Sequence, residues 1–234
     1  MKSYIGANKS EIADVVIITD DSLRTKLLAE KHLENPELVN NNRLNLGYTG
    51  TYKNTKVTIF TSGIGMPSMG IYAKELFENY NIKRIIKIGE CDSYHEEISI
   101  DDIILTEKAY TLSNFAKQYN NEDLDMCKSS VLLSQKIVNV AHASGIEVKI
   151  GTIHTSDTNN SDEIEQRVKD NYCLARDMET FALLYIAKQH DKQAASLLGV
   201  TKNLATKDSL NEKEINEMYD KLMKLSLESI IKTI

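Results

Sequence analysis

Short runs of β-branched residues alternate along the chain with longer amphipathic stretches, and this alternation limits the possible fold more than any other feature. Runs of this length are typical of strands buried in a sheet, and the longer stretches are typical of helices packed against it. We therefore predict an α/β fold with three layers, α/β/α. The predicted strands cover residues 15–19, 57–62, 84–88, 102–105, 148–154 and 196–201.

Two helices are indicated most clearly. Residues 68–80 follow Pro67, and their apolar side chains repeat at helical spacing, which predicts a helix with one buried face. A carboxy-terminal helix is predicted from Asn211, because Glu214 stands three residues on, the spacing of a capping box.

Residues 47–57 predict an early β-hairpin with its turn at Asn54 and Thr55. An antiparallel hairpin makes the central sheet mixed. Residues 110–129 and 156–162 are polar and irregular, so we expect loops there that cover a site or an interface. Since no repeat or linker interrupts the pattern, a single domain over residues 1–234 is the simplest organisation.

Composition excludes some classes of partner. The chain has 28 Lys and Arg against 34 Asp and Glu, a net charge of −6, which argues against broad binding to nucleic acid. The 3 cysteines are widely spaced and match neither a disulfide framework nor a metal site. Because no apolar run is long enough to span a bilayer, we expect a cytoplasmic protein with reduced thiols and no membrane partner.

Polar side chains follow several predicted strands at the point where each strand ends. Asp20 follows the first strand, Gly63 and Gly65 follow the second, and Glu90 follows the third. Ligands of open α/β sheets bind at the carboxyl ends of strands, so these residues are candidates for one site. The chain has only 10 glycines, which leaves little material for a glycine-rich phosphate loop.

The sequence resembles the hexameric bacterial type of purine nucleoside phosphorylase over almost its full length. Register and order match in these segments: ADVV at 13–16, VNNNR at 39–43, LGYTGTYK at 46–53, GIGMPS at 63–68, YAKEL at 72–76, DME at 177–179 and LES at 227–229. The resemblance implies a mixed sheet flanked by helices and a homo-oligomer built from dimers, extending to a hexamer. It also implies attack of phosphate on C1′ of a purine nucleoside, with phosphate as co-substrate, no other cofactor and no metal.

The resemblance assigns the nucleoside-binding residues by position. Glu179 stands where the family glutamate accepts the ribose hydroxyls, and Met178, Ile64 and Tyr4 join it as ribose-binding residues. Tyr4 replaces a histidine that the family supplies from the adjacent subunit. Asp177 replaces a glutamate at the base, and Asn159 or Asn160 replaces the aromatic residue that stacks on it.

The phosphate site implied by the resemblance is altered. Arg24 and Arg43 are retained, the latter being sent by the family to a neighbouring subunit, and Lys87 replaces an arginine. Asp20 stands in place of a glycine and Glu90 in place of a serine, so two carboxylates would face the anion. Ion pairs between these acids and the retained cations are the alternative arrangement.

The position of the acid that protonates the departing purine is also changed. The family aspartate falls at Lys202, with Asn203 beside it, so these two residues are the catalytic candidates.

Three functions remain open from the sequence. The first is phosphorolysis of a nucleoside. The second is hydrolysis, in which Asp20 or Glu90 activates a water molecule in place of phosphate. The third is a binding or structural protein that keeps the scaffold without turnover.

Overall fold

The computed structural model describes residues 3–159 and 164–231, and a mixed β-sheet forms its centre. The strands are β1 (Val15–Thr19), β2 (Glu34–Asn40), β3 (Gly47–Tyr52), β4 (Thr55–Thr61), β5 (Arg84–Ser93), β6 (Ile103–Thr111), β7 (Met126–Lys128), β8 (Lys149–Thr155), β9 (Cys173–Asp177) and β10 (Gln193–Asn203). The helices are α1 (Ser22–His32), α2 (Met66–Asn79), α3 (Phe115–Asn120), α4 (Val131–Ala143), α5 (Gln166–Asp170), α6 (Thr180–Gln189) and α7 (Glu212–Ile230).

Helices cover both faces of this sheet. Side chains of α2 and α6 pack into one apolar cluster, and side chains of α1, α4 and α7 pack into a second cluster on the other face. Parallel pairs such as β1 with β4 and β5 occur beside antiparallel pairs such as β3 with β4. The predicted α/β class with a mixed sheet between helices is therefore confirmed.

The sheet also closes partly on itself, which the sequence did not indicate. Its strand order is β10-β6-β8-β9-β5-β1-β4-β3-β2, and β10 pairs with β5 as well. A small apolar cluster, with Cys91, Ile153 and Leu198 among its members, fills the space inside this closure. As a result, the last residues of β5, β9 and β10 lie close together.

Several predicted boundaries differ from those observed. The hairpin turn lies at Lys53 and Asn54, one residue earlier than predicted, and both residues have positive φ, at 45° and 62°. That backbone is the one a two-residue turn requires between right-twisted strands. Helix α2 begins at Met66 and not at residue 68, because Gly65 occupies the N-cap position and Pro67 fits the first turn.

The predicted loop at 110–129 is wrong in part, since it contains α3 and β7. The ring of Phe115 packs edge-on against Phe181 and Tyr185 of α6, at centroid distances of 6.4 and 6.0 Å. These tertiary contacts order a segment whose local sequence is mostly polar. The predicted loop at 156–162 extends beyond the described residues, because 160–163 lie outside them.

Helix α7 matches its prediction closely. The side chain of Asn211 accepts hydrogen bonds from the amides of Lys213 and Glu214, and the Glu214 carboxylate accepts one from the Asn211 amide. Within the described residues, none of the helices combines the length and the apolar character needed to cross a membrane.

Candidate active site

A cavity of about 260 Å³ opens at the carboxyl ends of β1, β5, β9 and β10. We call it the central cavity. Its lining consists of Asp20, Ile64, Glu90, Cys91, Asp92, Thr158, Asn159, Arg176, Asp177, Met178, Glu179 and Thr201. The ends of these strands therefore converge on one cavity, as the sequence predicted.

Glu179 anchors one wall of the central cavity. Its Oε1 accepts a hydrogen bond of 2.7 Å from the Gly65 amide, at the N-terminus of α2. Gly65 has a φ of 91°, a conformation that glycine adopts without strain and that aims its amide at the carboxylate. Met178 lines the same wall, and Ile64 lies at the rim with 69% of its surface exposed.

Lys87 lies behind this wall and contacts two carboxylates. Its Nζ is 2.8 Å from Oδ2 of Asp177 and 3.2 Å from Oε2 of Glu179. All three side chains are nearly inaccessible, with exposures of 1%, 1% and 4%. Lys87 therefore pairs with the acids of the DME segment, and not with Asp20 or Glu90.

The charges of this buried cluster are set by opposing effects. Burial disfavours the Lys87 ammonium, but the neighbouring carboxylates outweigh it and raise the pKa of Lys87 above its ordinary value. Burial also acts on Asp177, yet Lys87 and hydrogen bonds from Thr180 and Thr155 hold the pKa of Asp177 below its usual range. For Glu179 burial dominates, so its pKa is raised.

The resemblance assigns Asp177 to the base. In the structure, the Asp177 side chain forms its hydrogen bonds mainly with buried residues of the protein. Its Oδ1 accepts a hydrogen bond of 2.8 Å from Thr155, and its Oδ2 accepts one of 2.9 Å from the Thr180 amide. The side chain of Asp177 borders the central cavity, but its contacts hold the start of α6 against β8 and β5.

Arg24 approaches the acidic side of the cavity from α1. Its guanidinium lies over the ring of Tyr219 at 4.1 Å, and Nη1 donates a hydrogen bond of 2.7 Å to Asn216. Nη2 is 4.0 Å from Oε1 of Glu90. Of the ion pairs suggested by the sequence, this one is present, although the contact is long.

Several carboxylates line the central cavity. Asp20, Glu90 and Asp92 all contribute to its lining. Burial raises the pKa of Glu90, while Thr201 and Arg24 partly offset this effect.

Arg43 and Tyr4 lie together, outside the lining of the central cavity. The Arg43 guanidinium lies 5.2 Å from the centre of the Tyr4 ring. The backbone amide of Tyr4 donates a hydrogen bond of 2.9 Å to the buried carboxylate of Glu75, which fixes this terminal segment on α2. Neither residue lines the cavity of its own chain.

Lys202 and Asn203 also lie outside the cavity lining. Asn203 is 1% exposed, and its Nδ2 donates to the carbonyls of His95 and Ile98 at 2.9 and 2.7 Å. Its Oδ1 accepts from the amides of Ala205 and Thr206 at 2.8 and 2.9 Å. Asn203 therefore braces two loops, and its amide has no remaining hydrogen-bonding capacity for a base.

Asn159 lines the cavity, whereas Asn160 lies outside the described residues. Thr158, Arg176 and Thr201 also line the cavity, although the sequence assigned no role to any of them. The closure between β5, β9 and β10 brings Arg176 and Thr201 there, and no local motif signals such a long-range contact.

Cys91 is 3% exposed and burial raises its pKa, which fits a packing role better than that of a nucleophile.

In residues 3–159 and 164–231, no group of His, Cys, Asp and Glu side chains has an arrangement suited to a metal ion. The lining of the central cavity presents carboxylates, hydroxyls and the guanidinium of Arg176.

Comparisons with known proteins agree with this architecture. The sequence model of the phosphorylase superfamily matches residues 14–234. A DeoD-type purine nucleoside phosphorylase of Oceanobacillus iheyensis is 33% identical over 99% of this chain and 100% of its own length. Proteins of the same description from Bacillus subtilis and Alkaliphilus metalliredigens are 32% and 36% identical, over 98% and 97% of this chain and 99% of their own lengths. The chain therefore belongs to the phosphorylase superfamily and is similar over nearly its whole length to DeoD-type purine nucleoside phosphorylases.

Proposed function

We propose that this protein binds a purine nucleoside in the central cavity and cleaves its N-glycosidic bond with phosphate as acceptor. The observation that carries the proposal is the position of Glu179. Its buried carboxylate is fixed by the Gly65 amide at 2.7 Å, next to Met178, on a wall of a cavity large enough for a small molecule. A carboxylate held in this way is suited to accept hydrogen bonds from two neighbouring ribose hydroxyls.

In this reaction an oxygen of phosphate bonds to C1′ as the bond from C1′ to the base nitrogen breaks. The bonding electrons leave with the purine, which takes up a proton, and the sugar leaves as ribose 1-phosphate. Positive charge develops on the ribose in the transition state, and nearby carboxylates stabilise it. Glu179 is the acid best placed for that role.

The phosphate would enter from the side of Arg24. This guanidinium is held by Tyr219 and Asn216, so it is oriented before an anion binds. Glu90 competes for it at 4.0 Å. We infer that phosphate binding requires Arg24 to exchange Glu90 for the anion, which weakens phosphate affinity.

The pair of Tyr4 and Arg43 completes the proposal. The Arg43 guanidinium lies 5.2 Å from the centre of the Tyr4 ring. Tyr4 belongs to a terminal segment that is tied to Glu75, and neither Tyr4 nor Arg43 lines the cavity of its own chain. We propose that a second copy of the chain brings this pair to the cavity mouth in a homo-oligomer built from dimers.

A second candidate function is hydrolysis, and one observation favours it. Glu90 lines the cavity, and burial raises the pKa of its carboxyl toward the range useful for a general base. Water would then attack C1′ in the place of phosphate and give free ribose.

The two functions are separated by measuring base release from inosine, adenosine and uridine with and without phosphate. Phosphorolysis predicts release from the purine nucleosides that requires phosphate and yields ribose 1-phosphate. Release that is equal without phosphate supports hydrolysis, and no release from any nucleoside overturns both proposals.

The variant Glu179→Gln tests the residue that carries the proposal. It keeps the side-chain shape but loses the negative charge, so we expect kcat/KM to fall by about 100-fold. Glu37→Gln is the matched control, because Glu37 is an exposed residue of β2. Equal activity of the two variants would remove Glu179 from the mechanism.

A further inference from the structure

A larger cavity opens at the opposite edge of the sheet from the central cavity. It lies at the amino ends of β1, β4 and β5, which are neighbouring parallel strands, and it has a volume of about 630 Å³. We call it the basal cavity. Pockets of this size hold small organic molecules, and the proposed function makes no use of this one.

The lining of the basal cavity carries an excess of positive charge. Its cations are those of Lys9, Lys56, Lys83 and Arg84, and its carboxylate is that of Asp14. Four cations against one carboxylate leave three positive charges at this edge of the sheet. The chain as a whole has a net charge of −6, so the excess is a local property of the cavity and attracts anions to it.

Ion pairs within the chain neutralise only part of this charge. Lys83 pairs with Asp14. Nζ of Lys56 donates a hydrogen bond of 2.6 Å to the carbonyl oxygen of Ser10, an acceptor without a formal charge. In the described part of the chain, the other cations of the lining form no ion pair with a carboxylate. Glu11, an acid close by in the sequence, does not line the cavity.

Arg84 holds a buried donor that lacks an acceptor. It is the first residue of β5, and its backbone amide donates a hydrogen bond of 3.3 Å to the carbonyl of Asp14, which fixes it beside β1. Its Nε is buried and has no hydrogen-bond partner among the described residues. A buried donor without an acceptor costs free energy, and an anion in the cavity removes that cost. A guanidinium is also suited to bind two oxygens of one phosphate group.

We propose that the basal cavity binds a di- or triphosphate chain. The three excess positive charges of the lining match the charge of such a chain better than that of a single phosphate group. Arg84 would hold one phosphate group, and Lys56 and Lys9 would hold the others. The chain can belong to a nucleotide or to free polyphosphate. Ile12 and Tyr80 provide apolar surface in the same lining for the nucleoside part of a nucleotide.

The test measures binding of tripolyphosphate, ATP and orthophosphate by isothermal titration calorimetry at low ionic strength. For the unmodified protein we expect tripolyphosphate to bind at least about tenfold more tightly than orthophosphate, because each further phosphate group meets another cation. Added salt should weaken this binding, since exposed lysines contribute to it. Equal affinities for tripolyphosphate and orthophosphate, or no binding of tripolyphosphate, would overturn the proposal.

The double variant Lys56→Met with Arg84→Met removes two cations of the basal cavity. Its affinity for tripolyphosphate should fall at least about tenfold. The matched control, Lys74→Met with Lys213→Met, removes the same charge from exposed positions on α2 and α7 that do not line the cavity, and it should keep the affinity. An equal loss in both double variants would show attraction to the net charge alone and would overturn the proposal.

The variant Arg24→Met distinguishes the basal cavity from the central cavity. It removes the cation that the proposed function assigns to phosphate, and it should leave the affinity for tripolyphosphate unchanged. Loss of tripolyphosphate binding in Arg24→Met, with retention in the variant of Lys56 and Arg84, would place the ligand in the central cavity and overturn the proposal. The outcome does not depend on whether the protein cleaves nucleosides.

The variant Lys9→Met keeps the proposal falsifiable if the double variant does not fold, because Lys9 is exposed. Its affinity for tripolyphosphate should fall about fivefold, and an unchanged affinity would contradict the proposed site.

The affinity for ATP identifies the source of the phosphate chain. Tighter binding of ATP than of tripolyphosphate, lost in the double variant, supports a nucleotide as the ligand of the basal cavity. Equal affinities, both lost in the double variant, support recognition of the phosphate chain alone.

Discussion

Nζ of Lys87 lies 2.8 Å from Oδ2 of Asp177, and both side chains are 1% exposed. Lys87, which the resemblance assigned to phosphate, is thus part of the buried framework behind the cavity wall that Glu179 and Met178 form. Since Nζ is also 3.2 Å from Oε2 of Glu179, Lys87 connects β5 to the two acids that flank Met178. The contact with Lys87 therefore orients the Glu179 side chain toward the cavity.

Replacing Lys87 with methionine should strongly destabilise the protein. The change leaves Asp177 and Glu179 buried without their cation, and loss of one partner of a buried pair costs about 3 to 5 kcal/mol. Urea denaturation followed by circular dichroism measures the effect. The control Lys83→Met removes an exposed pair with Asp14 and should cost less than about 1 kcal/mol. Similar losses in the two variants would contradict the structural role of Lys87.

Replacing Glu90 with serine should improve the use of phosphate. The change removes a carboxylate that contacts Arg24 at 4.0 Å and would repel the anion. Repulsion of this kind costs about 1 kcal/mol even at the dielectric constant of water, so KM for phosphate should fall at least fivefold. Initial rates at varied phosphate concentration measure it, with Glu96→Ser as an exposed control. A KM that stays constant or rises would show that Glu90 does not oppose phosphate.

Acidification should destabilise the protein through His154. Burial is the main cause that lowers the pKa of this imidazole from its ordinary value of 6.5, so the folded state resists the proton that the unfolded chain accepts. Stability is therefore retained above pH 6.5 and lost as the pH falls below it, until the lowered pKa is reached. Uptake of one proton by the unfolded chain changes the free energy of unfolding by at most about 1.4 kcal/mol per pH unit.

Urea denaturation between pH 7.5 and 5.5 checks this expectation. His154→Gln should show a smaller loss of stability on acidification than the unmodified protein. His142→Gln is the control, because His142 is exposed on α4 and its replacement should leave the pH dependence as it is. Equal slopes in all three proteins would exclude His154 as the source.

Replacing Asn211 with alanine should weaken the carboxy-terminal helix. The variant loses the side-chain oxygen that caps the amides of Lys213 and Glu214, which costs about 1 kcal/mol. Asn139→Ala is the matched control, since it makes the same change at an exposed position inside α4, where alanine favours the helix. Thermal unfolding measures the effect, and we expect a lower Tm for Asn211→Ala but not for Asn139→Ala.

Local patterns were sufficient for much of the fold. Strand β1 has the predicted bounds, and the capping box of α7 forms as its spacing indicates. Both depend on neighbours in the sequence. Strand β2 was missed because it is an edge strand that contains Pro36, and α3 was missed because Phe115 is ordered by packing on α6. Contacts that join distant segments leave no periodic signal in either one.

The sequence by itself determined the α/β architecture and the family resemblance, and it indicated that Asp20 and Glu90 lie near strand ends. Periodicity, capping and motif order encode these properties locally. Only the tertiary structure decided the partners of the charges. Lys87 pairs with Asp177 and Glu179, and Arg176 pairs with Asp92, because the sheet closes between β5, β9 and β10. Electrostatic partners depend on distances of a few ångströms in three dimensions, which one-dimensional spacing does not specify.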